Sequence, residues 1–261
     1  MANSVGDQVL KMVLAQANKE QSQHYPPHVY TTHFRLVSEA LKDECIRLYP
    51  TEQLVVDLLM PFINTQLCWV KNGAVALPPN YRNMLGIGFH IKDRTNFFPF
   101  ELDPVYFEDA LNPTSEELAT AIAKSNSETK PLDMLTIGEW DEMINHPYKS
   151  PNKIDFKTKK PNFNSAKSCI FGGKIGIRIA PFAIPYVEMR WVIDNPNPFV
   201  YGYQELPDDT YMFDPASTTE DLWKTNAVEY LAKGVNILFA NYIRDKDYIA
   251  SARDLRENSF F

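Results

Sequence analysis

Residues 174–203, KIGIRIAPFAIPYVEMRWVIDNPNPFVYGY, decide the fold class. Val187, Met189, Trp191 and Ile193 alternate with Glu188, Arg190 and Val192, the two-residue period of a strand with one face turned to a core. KIGIRIA (174–180) reads as a strand before it. Phe199, Tyr201 and Tyr203 continue the same period, and Tyr211 with Phe213 adds one more short strand. Pro185, Pro196, Pro198 and Pro207 punctuate the region. Proline cannot donate to a ladder and is confined to edges and turns, so the sheet is predicted to be antiparallel.

Working outward toward the N-terminus, Gln66–Lys71 and Ala74–Leu77 flank Asn72-Gly73, a pair suited to the positive φ angles of a type I′ turn, which predicts a β-hairpin. Met84–Lys92 is apolar and broken by glycines, as in a strand with a close backbone neighbour. Before these lie three helices. Val5, Val9, Met12 and Val13 recur at helical spacing over residues 4–21. Phe34, Val37, Leu41, Cys45 and Leu48 form one face of a second helix that ends before Pro50. Leu54, Val55, Leu58 and Leu59 mark a third, for which Thr51 is placed to cap.

Residues 93–170 are the least regular stretch. Thr114-x-x-Glu117 and Thr136-x-x-Glu139 have capping-box form and predict short helices over 115–125 and 137–145, while 147–168 is rich in Asn, Ser, Lys and Pro and is expected to be a mobile surface loop. Ser217-x-x-Glu220 is read as the cap of a long final helix carrying Trp223, Ala227, Tyr230, Leu231, Leu238 and Tyr242. The expected architecture is α+β: N-terminal helices, a central antiparallel β part with an irregular insertion, and a long C-terminal helix. Its segments are 1–92, 93–170 and 171–261, forming one composite domain.

The 261 residues are 44% hydrophobic and 23% charged, enough apolar material for a folded core. A net charge of -7 argues against tight nucleic-acid binding, which needs clustered Lys and Arg. Cys45, Cys68 and Cys169 show no CxxC pairing and read as buried thiols of a reducing compartment. The opening residues lack the apolar run of a secretory signal, and no stretch reaches the roughly 18 apolar residues that span a bilayer. The product is therefore expected in the cytoplasm where it is made, or packaged into something assembled there, with no membrane partner.

No catalytic constellation is legible. His24, His28 and His33 are divided by Pro26-Pro27, which prevents a helical His pair from closing on a metal, and they read as a polar interhelical loop. Gly172-Gly173-Lys174 lacks the remainder of a phosphate loop, and Gly86-x-Gly88 lacks the third glycine and the helix of a dinucleotide site. Asp208 and Asp209 with Asp214, and Asp245 with Asp247, could each hold a divalent cation or supply a carboxylate pair, but acidic turns and solvated helix ends are the commoner origin of such clusters. No metal, cofactor or enzymatic activity is expected.

The segment FRLVSEALKDECIRLYPTEQLVVDLLMPFI (34–63), followed by GAVALPPNYRNMLGIGF (73–89), resembles the opening of structural proteins encoded by tailed phages that infect Bacteroidetes, the crAss-like group among them. GEWDEMINHPYKSP (138–151) and YVEMRWVIDNPNPFVYGY (186–203) resemble later segments of the same proteins. Met143 stands where the family pattern has Arg, and residues 93–130 lie outside the resemblance. What the resemblance implies is a ring subunit of the head-to-tail connector or tail of a virion, repeated around the axis in twelve copies as is usual for such rings. Its partners would be other copies of itself, the portal protein and neighbouring tail rings, with DNA passing through without tight binding. The rival readings are a peripheral tail hub or baseplate-like protein and a cytosolic hydrolase using the Asp208 cluster. Phe260 and Phe261, with Arg253 and Leu255, form a charged, aromatic-ended tail expected to dock on another chain. Lys157, Lys159 and Lys160 are expected to face outward or toward a protein partner.

Overall fold

The alternation in 187–193 is used on both faces of the strand that carries it. The computed structural model describes residues 4–17, 25–91, 99, 114–125, 128–155, 159–172, 176–195, 198–207 and 211–243. It divides into two compact units, one made of residues 1–62 and 194–261 and the other of 63–193. The sequence segments 1–92 and 171–261 each contribute to both units.

In the 63–193 unit, the strands are β1 (Ile63–Trp69), β2 (Ala74–Ala76), β3 (Tyr81–Ile91), β4 (Glu128–Pro131), β5 (Asp133–Leu135), β6 (Lys167–Phe171), β7 (Gly176–Ala180) and β8 (Tyr186–Ile193). They form two four-stranded sheets, ordered β1-β8-β3-β4 and β2-β7-β6-β5. β8 pairs antiparallel with β1 on one side and with β3 on the other. Val187, Met189 and Trp191 turn into a shared core with Ile87, Phe89, Ile177 and Ile179, so the two sheets bury one apolar interior. The opposite face of β8 is also covered. Tyr186 packs with Leu67 against Leu118 and Ile122 of α4 (Ser115–Ser125). On the second sheet, Trp140 of α5 (Ile137–Asn145) packs on Cys169 and Ala180. Full burial of an aromatic side chain contributes about 1.5–3 kcal/mol, which makes Trp191 a principal anchor of the unit. Neither Trp191 Nε1 nor Tyr186 Oη has a hydrogen-bond partner among the described residues, and each such group costs about 1–3 kcal/mol.

The other unit is helical: α1 (Val5–Gln16), α2 (Pro27–Leu48), α3 (Gln53–Leu59) and α6 (Val228–Ile243), with a two-stranded ribbon of β9 (Tyr203–Glu205) and β10 (Tyr211–Phe213). Its core is aromatic. Tyr25 stacks on Phe239, with ring centroids 4.4 Å apart, and Phe34 lies 4.1 Å from Phe199. The Tyr30 hydroxyl donates to Gly6 O, and burial pushes its ionisation well above the ordinary phenol range. Residues 199–201 run along α2, held by Arg35 Nε to Phe199 O (2.6 Å) and by Tyr201 N to Thr31 Oγ1 (3.2 Å). Further along α2, Ser38 Oγ donates to Asp221 Oδ2 (2.6 Å) and accepts from Trp223 Nε1 (2.8 Å), while Asn195 Nδ2 donates to Asp221 Oδ1 (3.0 Å).

The α+β architecture with N-terminal helices and a long C-terminal helix is as expected, and several details differ for physical reasons. α2 begins at Pro27 and not near Phe34, because a proline in the first turn has no N–H to lose. Thr51 closes α2 through Leu48 O and does not cap α3, whose N-cap is Glu52. Asn72 and Gly73 have φ of 52° and 70°, as the turn requires, yet the strands on either side part after the Lys71–Ala74 bridge. β1 then joins one sheet and β2 the other, so no hairpin ladder forms. β5 pairs in parallel with β6, the one parallel pair among the described strands. Residues 114–170 are not a loose insertion: they supply α4, β4, β5, α5 and β6 to both sheets. Within 147–168, Pro151, Phe163 and Ala166 are buried. Ser217 donates to Asp214, and α6 begins only at Val228, after a 3-10 turn at Thr225–Ala227.

Candidate docking surfaces

Three surfaces place apolar side chains in the open. The first lies on the 63–193 unit. Thr136 and Glu139 cap each other's backbone at the start of α5, and Trp140 is thereby buried while Ile137 on the neighbouring face is 57% exposed. After α5, His146 Nδ1 accepts from the backbone N–H of both Tyr148 and Lys149 at 3.1 Å. Lys153 Nζ donates to Pro147 O (2.8 Å) and sits 4.6 Å from the centre of the Tyr148 ring. Asn152 Oδ1 accepts from Phe182 N (2.8 Å), joining this loop to the β7–β8 connection. Lys159, at φ 54°, donates its N–H to Asp155 O (2.8 Å) and tightens the return of the chain. The bonds fix the backbone while leaving the side chains outside: Tyr148 is 81% exposed, Ile154 63% and Phe182 53%. By sequence, residues 147–161 carry Lys149, Lys153, Lys157, Lys159 and Lys160 against one carboxylate, Asp155.

The second surface is the β9–β10 ribbon. Its base is fixed by Tyr201, whose ring lies 5.1 Å from Phe213, and by Asp214 N to Gly202 O (3.0 Å). Beyond the base it is open. All three residues of β9 are exposed, and Tyr203, Leu206 and Met212 are 41%, 37% and 49% exposed. The whole stretch 191–223 contains seven carboxylates and neither Lys nor Arg. Asp214, one of the residues considered as a catalytic carboxylate, is committed to structure. It accepts from Ala216 N (3.0 Å) and Ser217 Oγ (2.8 Å), and these bonds hold its carboxyl below the usual carboxylate range.

The third is an apolar groove of about 500 Å³ between α2 and α6, lined by Leu36, Val37, Leu41, Ile237 and Leu238, with Glu44 and Lys233 also at its wall. Gly234 makes the helix approach possible, since a Cβ there would stand 2.5 Å from Val37 Cγ1.

The remaining residues singled out in the sequence are placed as follows. His28 and His33 both lie within α2, not in an interhelical loop, and His33 Nδ1 is hydrogen-bonded to the Tyr25 hydroxyl (2.6 Å). No group of three or more His, Cys, Asp or Glu among the described residues is arranged to hold a metal. Gly172 ends β6 with φ 63°, and β7 follows rather than a helix. Gly86 and Gly88 are both within β3. Lys159 and Lys160 are exposed. Arg253, Leu255, Phe260 and Phe261 lie outside the described residues, as do His24, Lys157, Asp208, Asp209, Asp245 and Asp247.

One partly buried titratable pair went unnoticed in the sequence. His90 and Glu188 face each other across β3 and β8 at 3.2 Å, and the His90 ring stacks on Tyr186. Burial lowers the His90 pKa and outweighs the opposing attraction of Glu188. Only the pairing register brings the two together. Among the described residues no helix is long and apolar enough to cross a membrane. No protein-family model matches the chain, and no curated protein matches it.

Proposed function

We propose that the chain is an architectural subunit of a tailed-phage virion, a ring protein of the head-to-tail connector that joins portal to tail around a DNA channel. The observation that carries the reading is that two anchored elements hold large apolar side chains in the open, Tyr148, Ile154 and Phe182 on the 63–193 unit and Tyr203, Leu206 and Met212 on the β9–β10 ribbon. A subunit repeated around an axis needs two different faces that complement each other, because heterologous contacts generate rings. The resemblance to crAss-like structural proteins supports the same assignment: its segments fall on α2, α3, β3, α5 and β8, the elements that build the two units. The chain's excess of carboxylates suits a channel that DNA passes without being held, since phosphate contacts require clustered cations.

The test is co-expression of the tagged chain with the portal protein of a crAss-like phage, the group whose structural proteins the chain resembles. Co-purification in rings visible by negative stain is the expected result. Recovery of the chain free of portal, with no ring in any fraction, overturns the proposal.

A further inference from the structure

We propose that His146 is a proton-sensitive latch: its neutral ring holds the turn at 147–150, and with it Tyr148, in place, and uptake of a proton releases them. The inference stands whether or not the chain forms rings. His146 ends α5, its own N–H bonded to Met143 O (3.3 Å), and its Nδ1 accepts from the N–H groups of both Tyr148 and Lys149 at 3.1 Å. A neutral imidazole has one donor and one acceptor nitrogen, whereas the imidazolium has two donors and no acceptor. Two N–H groups aimed at Nδ1 therefore require the tautomer with its proton on Nε2. A solvent proton taken up on the Nδ1 lone pair would point at both of them, so the charged ring and this turn exclude each other.

The surroundings offer the charged ring no compensating partner. Among the described residues His146 is in no ion pair. Its own loop contributes Lys149 and Lys153, and Glu142 lies one turn back along α5. On β5 and β6, against which α5 packs, Asp133 and Lys167 are paired with each other, and Arg178 of β7 lies over the Phe171 ring. The released segment has clear limits. Pro151 is buried and its carbonyl accepts from Asn162 N (3.1 Å), and Asn152 Oδ1 accepts from Phe182 N (2.8 Å), so the chain stays fixed beyond Ser150. Within it, Lys153 Nζ holds Pro147 O and sits over the Tyr148 ring, contacts that depend on the turn keeping its shape. Tyr148 is the most exposed large apolar side chain among the described residues, at 81%. A docking surface built around it would be assembled while His146 is neutral and undone when the ring is charged.

The test is nuclear magnetic resonance of the full chain, labelled with nitrogen-15, titrated from about pH 8 to about pH 5, the range in which imidazoles change charge. At the upper end the His146 ring should show a bare Nδ1 and a protonated Nε2. On acidification the amide signals of Tyr148 and Lys149 should move upfield, losing their hydrogen-bonded positions, with the same midpoint as the ring. The amides of Asn162 and Phe182, bonded beyond the turn, should stay where they are. In His146→Asn a carboxamide oxygen can accept the same N–H groups and does not titrate, so the Tyr148 and Lys149 signals should no longer depend on pH. A proton on Nδ1 at about pH 8, Tyr148 and Lys149 signals that ignore the midpoint of the ring, or a His146→Asn protein that keeps the full response overturns the latch.

Discussion

Replacing Gly234 by Ala puts two known magnitudes in competition. In a helix interior, Ala is favoured over Gly by about 1 kcal/mol. Here the new Cβ would stand 2.5 Å from Val37 Cγ1, 3.2 Å from Cγ2 and 3.4 Å from Cβ. Val37 lies within α2, where a β-branched side chain has essentially one χ1 rotamer and cannot swing aside. Overpacking of this kind costs about 1–3 kcal/mol, so Gly234→Ala should destabilise the helical unit by about 1 kcal/mol net. Val37→Ala removes both clashing methyls. In that background Gly234→Ala should become stabilising by about 1 kcal/mol, giving a coupling of about 2 kcal/mol around the cycle. Urea titration followed by hydrogen exchange of the α6 amides reads the helical unit specifically. A stabilising Gly234→Ala in the unmodified chain, or effects that simply add, would refute the packing argument.

Three further outcomes follow from local chemistry. Thr136→Ala breaks the capping box of α5 and should cost about 1 kcal/mol, measured as a lower urea midpoint for the β unit; an unchanged midpoint would show that the cap contributes nothing there. Burial pushes the Cys45 thiol up to about 12 and the Cys68 thiol up to about 11, so alkylation at pH 8 should be slow in the native protein and complete for all three thiols only in denaturant; rapid native labelling of Cys45 would contradict its burial. The unfolded chain protonates His90 near pH 6.5, whereas the folded state does so only at lower pH. Its contribution is therefore intact above about 6.5 and is lost as pH falls through the depressed value. His33 is shifted in the same direction by burial, so midpoints measured from pH 7.5 to 5 should decline and flatten in the His33→Asn/His90→Asn protein.

What was legible in the sequence was what local chemistry determines. The Thr114 and Thr136 boxes predicted α4 and α5 because a side chain three residues away satisfies the helix's own first N–H groups. The alternation at 187–193 predicted β8 because burial repeats every second residue. The same logic misled at Ser217-x-x-Glu220, where Asp214 captures the hydroxyl that a cap would need. Asn72-Gly73 specified its turn correctly but not the partners of the flanking strands, which are set by long-range pairing with β7 and β8. The docking surfaces were only half visible. Composition exposed the lysines of 147–161, but that Tyr148, Ile154 and Phe182 project beside them depends on β7, β8 and α5 being in place. The openness of the ribbon was hidden too, since Tyr201 and Tyr203 share a period and only the first is buried.

The central claim, that the chain is a connector ring subunit, is tested most directly by a cryo-electron microscopy reconstruction of the neck of the tailed-phage particles in which the proposal places it. The account predicts a ring between portal and tail whose repeated density accepts both the helical unit and the two-sheet unit in every copy. Particles in which the chain is absent, or present away from the axis without rotational repetition, would contradict it.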